Sequence, residues 1–400
     1  MTPSKTPQGS PPGGSEGPPK KKQRAPKAIH RVLVTGAAGS VGRLLLSLLL
    51  KSGYEVVATD LGEAPDDLRQ EGVGPAGLTW RSADLTHREV IPPLMEGVDA
   101  VIHTAAWVDI TIPFSRQAPI NLHAVMDLFQ EAVHRGVRRF VHFSTGSLYA
   151  SSGSPLREDS PRHPTSAYEE TKLLAEDFLE SQRGQGTEIT VLRPALIYGP
   201  RGKVLVSPVA TVPPLVAPLN GLMPRLEGGP RTNLVHATDV ARAAQHLLER
   251  HPGDDLEIFN VACTDIVSMG ELFNIVLEVG GIRTLPIALP FPQKALSLLL
   301  PLLSYQLPFR LLNDGAQQLW RYHVERHGLE PALAPRVDRE ATPYLAGDVV
   351  FDSSRLRATG FEFSFPTFRE GWAQTVQWYQ DHSWLPREAP TPRREAQAQS

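Results

Sequence analysis

The turn at residues 35–42, with the sequence TGAAGSVG, constrains the fold of this chain more than any other segment. The apolar residues Val32, Leu33 and Val34 precede it and predict a buried strand, and leucines at helical spacing follow it. Glycines in a turn between a strand and a helix let a pyrophosphate approach the backbone amides and the helix N-terminus. The segment therefore predicts the first strand, turn and helix of a dinucleotide-binding fold.

The same turn gives the first predicted cofactor contacts. From its position we expect contacts from six residues, namely Gly36, Ala38, Gly39, Ser40, Val41 and Gly42. A second strand at residues 56–59 ends in Asp60, where a carboxylate accepts hydrogen bonds from the adenosine ribose and repels a 2′-phosphate. Leu61 and Gly62 offer no cation for such a phosphate, although Arg43 does, so we expect NAD rather than NADP.

Further apolar runs at residues 100–103, 140–143 and 189–192 predict more strands, and helical stretches such as residues 126–135 separate them. Strands that alternate with helices form parallel βαβ units. The predicted fold class is α/β, a Rossmann-type doubly wound parallel sheet with a smaller, mostly helical substrate-binding lobe.

The composition bounds the class of protein. Four hundred residues with 41% hydrophobic side chains are enough for two buried cores. The net charge of −3 provides no field that attracts nucleic acid, and the single cysteine, Cys263, excludes an internal disulfide and a cysteine metal cluster. We expect no metal, a buried and inert Cys263, and a cytoplasmic protein, because no apolar signal-peptide region follows the basic residues near the N-terminus.

Composition also suggests the domain boundaries. Residues 1–29, rich in Pro, Gly, Ser and Lys, and residues 386–400 are predicted to be disordered tails. The basic run at residues 20–24 is either part of a solvated tail, which we favour, or a nuclear localisation signal or a contact with an anionic surface. Residues 30–200 are assigned to the NAD-binding domain, with a returning segment near 232–265. Residues 201–380 are assigned mainly to the substrate-binding lobe.

The most apolar stretch of that lobe, residues 289–312, is interrupted by four prolines and contains two basic residues, which argues against a membrane-spanning helix. Two alternatives stay open: the stretch lines an apolar substrate pocket, which we favour, or it makes peripheral contact with a membrane. The expected binding partner is a small-molecule substrate. A second copy of the chain, in a homodimer, is a further possible partner.

Three residues downstream of the glycine turn suggest hydride-transfer chemistry. Tyr168 and Lys172 are four residues apart in a helical stretch, so they share a helix face. An ammonium group beside a phenol favours the phenolate, and a phenol activated in this way is a base for an alcohol or an acid for a carbonyl. Thr145 precedes the pair and supplies a hydroxyl.

These motifs together resemble the extended short-chain dehydrogenases/reductases, the NAD-dependent epimerase/dehydratase superfamily, over roughly residues 30–380. The resemblance covers the glycine turn, the pair Asp84 and Leu85, the run HTAA at residues 103–106, the helical Asn121, the run STGSLY at residues 144–149, and the strand and turn at residues 192–200.

The resemblance implies a catalytic set of four residues: Thr145, Tyr168, Lys172 and Asn121. In that set Tyr168 is the acid or base, Lys172 holds the nicotinamide ribose and lowers the tyrosine pKa, and Thr145 bonds the reacting oxygen. It also implies cofactor contacts from Asp84, Leu85, Thr104, Ala105, Ala106, Tyr168, Lys172 and Pro194. The histidines at 103 and 142 are expected to be packed, hydrogen-bonded core residues.

The branch within this superfamily is less constrained. A dehydratase needs an Asp-Glu pair after the catalytic Thr, and Gly146 and Ser147 occupy those positions. The apolar stretch at 289–312 favours the 3β-hydroxysteroid dehydrogenase-like branch, with a sterol, steroid or lipid-like secondary alcohol or ketone as substrate. The alternatives are a nucleotide-sugar epimerase, for which Arg231 would bind phosphate, a β-keto acid reductase, and an NAD-sensing binding protein.

Overall fold

The computed structural model describes residues 28–66, 68, 77–109, 112–149, 155–203, 206–299, 306–335 and 342–387. The predicted N-terminal tail lies outside these residues except for 28 and 29, and the predicted C-terminal tail does so from residue 388. Part of the apolar stretch 289–312 also lies outside them, because residues 300–305 are not described and the side chains of 297–312 are not described either.

The central element is a seven-stranded parallel sheet, and the predicted fold class is confirmed. Its strands are β1 (Arg31–Thr35), β2 (Glu55–Asp60), β3 (Leu78–Ser82), β4 (Ala100–His103), β5 (Arg139–Phe143), β6 (Glu188–Pro194) and β11 (Leu256–Val261), in the spatial order β11-β6-β5-β4-β1-β2-β3. The strand order reverses between β1 and β4, which is where doubly wound sheets bind ligands. Two of these strands, β3 and β11, are absent from the sequence-based prediction.

In the described part of the chain, six strands of two to seven residues lie outside the main sheet: β7 (Ile197–Tyr198), β8 (Met223–Glu227), β9 (Arg231–Thr232), β10 (Val235–His236), β12 (Val267–Ser268) and β13 (Thr284–Pro290). They pair in twos, as β10 with β7, β12 with β9 and β13 with β8. The loops that carry them therefore acquire fixed positions without extending the main sheet.

The α-helices are α1 (Ser40–Lys51), α2 (Ile91–Leu94), α3 (Phe114–Ala118), α4 (Ala124–His134), α5 (Ala167–Ser181), α6 (Val212–Val216), α7 (Ala237–Glu249), α8 (Met269–Val279), α9 (Gln293–Leu299), α10 (Gln306–His327), α11 (Thr342–Ala346), α12 (Ser354–Arg357) and α13 (Phe368–Asp381). None of the helices in the described part of the chain is both long enough and apolar enough to cross a membrane.

Each face of the sheet buries its own hydrophobic core. On one face Leu45 and Leu49 of α1 pack with Leu248 of α7, and all three are fully buried. On the other face Phe129 of α4 packs edge-on against Phe140 of β5. Because both faces are covered, the strand residues read as continuous apolar runs, which is why the sequence revealed most of these strands.

A third core forms beyond residue 200. Trp372 and Tyr379 of α13 are fully buried, and Trp372 packs against Tyr198 at the end of β7. Trp320 of α10 joins the same cluster. Residues late in the chain therefore pack against the segment that follows β6, on the side of the sheet where the strands end.

Candidate active site

The glycine turn has almost no space for side chains. Gly36 has a φ of +68°, which favours glycine, and a Cβ there would lie 2.6 Å from the backbone nitrogen of Ala105. A Cβ at Gly42 would lie 2.2 Å from the carbonyl oxygen of Gly36. Because these positions have no side chain, the start of α1 lies close to the end of β1. The residues present fit a bound pyrophosphate.

Asp60 lies at the end of β2, beside this turn. Its carboxylate accepts hydrogen bonds from the backbone nitrogen of Ala38 at 2.9 Å and from that of Leu61 at 2.8 Å. The two amides hold the carboxylate in place next to the loop. Asp60 thus ends β2, as the sequence predicted, and its contact with the adenosine ribose stays a prediction.

The predicted residues after β3 and β4 lie in different surroundings. Asp84 accepts hydrogen bonds from the backbone and hydroxyl of Thr86, and the backbone bond is the main cause of its lowered pKa. The side chain of Leu85 is buried in the core, so a cofactor contact there would come from its backbone. Thr104 donates its hydroxyl to the carbonyl of Thr35 at 2.7 Å, which ties the end of β4 to the glycine turn.

A cavity of about 1010 Å³ runs from the glycine turn to the segments that follow β5 and β6. Among the predicted site residues it is lined by Gly36, Gly39, Ser40, Val41, Gly42, Thr104, Ala106, Thr145, Tyr168 and Pro194. The cavity thus brings the predicted cofactor turn and the predicted acid or base together. Ala38, Asp60, Asp84, Leu85, Ala105, Asn121 and Lys172 are not among its lining residues.

Tyr168 is positioned by the start of α5. Ser166 caps this helix by accepting from the backbone nitrogen of Glu169, and the Glu169 carboxylate accepts in turn from the backbone nitrogen of Ser166. This capping box fixes the first turn of the helix. Tyr168, in that turn, is therefore presented to the cavity by local sequence signals.

Lys172 lies one turn further along α5 and is buried behind the cavity. Its Nζ donates to the carbonyl of Phe143, the last residue of β5, and lies 3.3 Å from Nε2 of His142. Burial lowers the pKa of Lys172 to about 7, while the Glu176 carboxylate raises it. Lys172 therefore loses its proton more readily than an exposed lysine does.

Asn121 lies in a single π-helical turn, Pro119–His123, between α3 and α4. Its side chain accepts from the backbone nitrogen of Trp107 at 2.8 Å and donates to the carbonyl of the same residue at 3.0 Å. It also donates to the hydroxyl of Thr171 on α5 at 3.3 Å. Asn121 thus fixes the loop after β4 against the helix that carries Tyr168 and Lys172.

Thr145 and Ser147 place two hydroxyls side by side on the cavity wall. Their oxygens are 2.9 Å apart, and Thr145 also accepts from the backbone nitrogen of Ser147. Between them, a Cβ at Gly146 would lie 2.6 Å from the ring of Phe351 and 2.9 Å from the carbonyl oxygen of Pro194. This packing leaves no room at position 146 for the acid of a dehydratase.

Several lining residues were not predicted from the sequence: His163, Thr165, Tyr344 and Val349, with Val108. The first four come from loops and short elements that carry no motif, so only the tertiary fold reveals them. The expectation that residues 289–312 line the pocket is wrong for residues 289–296, the part with described side chains, because none of them lines this cavity. Leu289 is instead 47% exposed at the end of β13.

Two other sequence-based expectations have clear outcomes. Arg231 forms a two-pronged ion pair with Asp348, through Nε at 3.0 Å and Nη2 at 2.9 Å, and is not among the residues that line the cavity. Its guanidinium is thus already matched to a carboxylate. Cys263 is buried, which raises the pKa of its thiol to about 12, as expected of an inert cysteine.

The glycine cradle, the acid at the end of β2 and the phenol beside a buried lysine define a dinucleotide-dependent oxidoreductase. The family model "NAD dependent epimerase/dehydratase family" matches residues 32–262, and the chain belongs to this family. NAD is the family's cofactor, which confirms the predicted cofactor. Members act on CH-OH groups, so the chain is an enzyme of that type.

Three relatives illustrate the range of the family. The chain is 31% identical to a 3-beta-hydroxysteroid dehydrogenase of Mycolicibacterium neoaurum over 43% of its own length and 48% of that protein. It is 28% identical to the 4-hydroxy-2-methyl-3-oxo-4-farnesyl-3,4-dihydroquinoline-1-oxide ketoreductase of Stigmatella aurantiaca, over 65% of this chain and 76% of that protein. Its fold is similar to that of UDP-glucose 4-epimerase from Thermotoga maritima, with a TM-score of 0.63 and 22% identity over 88% of this chain and 99% of that one.

Proposed function

We propose that this chain is an NAD-dependent dehydrogenase or ketoreductase that acts on a secondary alcohol or ketone of a hydrophobic, sterol-like or isoprenoid-like substrate. The observation that carries the proposal is one cavity in which the glycine turn, Thr145 and Tyr168 meet apolar walls. The walls include Val108, Leu196 and Val349. Apolar walls with a few polar groups are typical of a site for a hydrophobic ligand.

In this proposal, residues 30–200 together with the returning segment near 232–265 bind the cofactor, and residues 201–380 mainly shape the substrate site. The glycine turn and Asp60 hold NAD, which supplies the hydride acceptor when it is bound. Asp84, Leu85, Ala105, Ala106 and Pro194 complete the contacts through backbone or small side chains.

Tyr168 then exchanges the proton of the substrate hydroxyl, since its phenol faces the cavity from the start of α5. The Glu169 carboxylate also lines the cavity, but it is engaged by the backbone nitrogens of Thr165 and Ser166. The paired hydroxyls of Thr145 and Ser147 orient the reacting oxygen by hydrogen bonding. Lys172 supports Tyr168 from behind, and Asn121 keeps the loop after β4 in register with α5. The hydrogen bonds of Thr145, Ser147 and Asn121 support their roles, and the i, i+4 spacing of Tyr168 and Lys172 on α5 supports theirs.

The substrate class is supported from two directions. The Mycolicibacterium relative is a hydroxysteroid dehydrogenase and the Stigmatella relative reduces the ketone of a farnesylated molecule. Both names describe a carbonyl or hydroxyl on a hydrophobic skeleton, which matches the apolar cavity walls. A nucleotide diphosphate would need cations. Arg231, the predicted phosphate ligand, is paired with Asp348, and Lys203, which lines the cavity, lies over the ring of Trp384.

The test is NADH formation by the purified protein with NAD and a panel of 3β-hydroxysteroids and long-chain secondary alcohols, with NADH oxidation measured on the matching ketones. We expect Tyr168→Phe to reduce turnover about 10²- to 10⁴-fold, the usual contribution of a general acid or base. NAD affinity should change little. Tyr344→Phe is the matched control, because Tyr344 also lines the cavity but lies away from Lys172 on the chain.

The outcomes separate the alternatives. Equal turnover in the Tyr168→Phe protein would refute the assignment of the acid or base. No NADH signal with any sterol or alcohol, combined with Tyr168-dependent interconversion of UDP-glucose and UDP-galactose, would instead establish an epimerase.

A further inference from the structure

A continuous row of buried polar groups lies beneath the cavity, at the carboxyl ends of three neighbouring strands. It begins at Thr35 of β1, whose hydroxyl lies 2.7 Å from Nδ1 of His103 on β4. His103 pairs in register with His142 of β5, and their rings stack with centroids 5.6 Å apart. Nε2 of His142 then lies 3.3 Å from Nζ of Lys172. The row connects the glycine turn to the lysine behind Tyr168.

Two nitrogen atoms in this row lack a hydrogen-bond partner in the described part of the chain. Both histidines are fully buried, and Nε2 of His103 and Nδ1 of His142 have no hydrogen-bond partner among the described residues. A buried polar atom without a partner costs free energy, so a pair of histidines with only packing roles would be replaceable by apolar residues. Neighbouring Phe140 and Phe143 show that this strand accommodates such residues.

We propose that His142 is a positioning residue that holds Nζ of Lys172 at the back of the cavity and sets whether that nitrogen carries a proton. This inference rests on the proposed function, in which Lys172 supports Tyr168. An ammonium group has no lone pair, so His142 must accept from it through Nε2. A neutral amine has one lone pair, so His142 is then able to donate to it instead. The neutral imidazole therefore serves both states of the lysine.

The Glu176 carboxylate raises the pKa of Lys172 through space, and the other groups around Lys172 leave the hydrogen-bonding role to His142. The Glu176 carboxylate, one turn further along α5, is engaged by the guanidinium of Arg193 from β6 at 2.6 Å. The carbonyl of Phe143 only accepts, so it cannot serve a neutral amine as a donor. The Nδ1 atom of His103 is engaged by Thr35. His103 is therefore related to the lysine only through the stacked ring of His142. Of these partners, His142 alone both contacts Nζ and has donor and acceptor capacity.

The experiment follows the protonation of Lys172 directly. In protein labelled with ¹³C-lysine, the ¹³Cε signal of Lys172 is identified by its loss in Lys172→Met and titrated with pH in the absence of substrate. We expect the midpoint to fall by about one pH unit in His142→Phe, because the ammonium loses a hydrogen bond that is stronger than the bond made by the amine. His142→Gln should keep the original midpoint, since an amide both donates and accepts.

His246→Phe is the control for loss of a histidine, because His246 bonds Thr359 on another part of the fold. Thermal unfolding and NAD affinity establish that each variant is folded, and His142→Val replaces the phenylalanine variant if that protein does not fold. An unchanged midpoint in His142→Phe or His142→Val would overturn the proposal. Because the titration needs no turnover, a shifted midpoint in a protein without dehydrogenase activity would support the role of His142 and refute the proposed function.

Discussion

The substitution Gly42→Ala tests whether the tight glycine turn is what binds the cofactor. The new Cβ would lie 2.2 Å from the carbonyl oxygen of Gly36 and 2.9 Å from Cα of Ala37. Both atoms belong to the backbone, so no side-chain rotation relieves the clash. Inserting one carbon into a well-packed site typically costs about 1–3 kcal/mol.

The structure indicates where this strain goes. Gly36 has little room to move away from α1, because a Cβ added to it would already lie 2.6 Å from the backbone nitrogen of Ala105 and 2.7 Å from the hydroxyl of Thr104. Relief therefore requires the turn or the start of α1 to shift, which moves the backbone amides that face the pyrophosphate. If the whole strain energy is lost from the free energy of NAD binding, NAD affinity falls roughly 5- to 150-fold, because each 1.4 kcal/mol of binding free energy corresponds to a tenfold change in affinity.

Isothermal titration calorimetry with NAD measures this loss, and thermal unfolding without NAD measures the strain that remains in the free protein. Gly62→Ala is the matched control, because a Cβ at Gly62, near the same edge of the sheet, would meet no atom within 4 Å. If Gly42→Ala bound NAD as tightly as Gly62→Ala and unfolded at the same temperature, the inferred close packing at this turn would be refuted.

Three further predictions follow from single contacts. Asp60→Ala should weaken NAD and narrow its advantage over NADP, since the carboxylate that repels a 2′-phosphate is gone; titration with both cofactors checks this, and an unchanged ratio would show that Asp60 does not face the ribose. Arg193→Met should lower the free energy of unfolding by about 3–5 kcal/mol, because it removes the fully buried partner of Glu176 and leaves that carboxylate only the longer ion pair with Arg162 at 3.3 Å; urea denaturation measures this, with the exposed Arg225→Met expected to cost less than about 1 kcal/mol. Burial lowers the pKa of His103 from 6.5 to about 3, so the unfolded chain binds a proton that the folded chain does not, and stability should fall as the pH drops from 6.5 towards 3. Urea denaturation at several pH values should show a smaller loss for His103→Phe, and an equal loss would contradict the assignment of a neutral buried ring.

The sequence predicted those parts of the fold that depend on local patterns. β1, the glycine turn and α1 are adjacent in the chain, and Tyr168 and Lys172 share a helix that Ser166 and Glu169 cap. Strands β3 and β11 were not predicted, because only their pairing with neighbouring strands, β2 for β3 and β6 for β11, identifies them as strands. β3 has a mixed burial pattern at the edge of the sheet, and β11 pairs with β6 after a separation of more than sixty residues.

The interactions of individual side chains were harder to predict. Nothing near Arg231 indicates that Asp348, 117 residues away, is its partner, and nothing near Asn121 indicates a π-helical turn. The apolar character of residues 289–296 was visible, but apolar character does not specify which surface a segment covers. Leu289 and Ile287 are half-exposed on β13, which pairs with β8 away from the cavity.

Contacts between residues that are distant in the sequence also bear on which reaction the site can catalyse. Gly146 lies where a dehydratase has an acid, and its neighbour Phe351 occupies the space such an acid would need. Phe351 is held by Asn233, which accepts from the Phe351 nitrogen at 2.8 Å and donates to the carbonyls of Phe351 and Cys263 at 2.9 Å. Asn233 therefore fixes the backbone of Phe351, and the Phe351 ring can leave Gly146 only by rotation of its own side chain. An acid at position 146 would thus have to displace the Phe351 ring and the carbonyl of Pro194, so this packing disfavours a dehydratase.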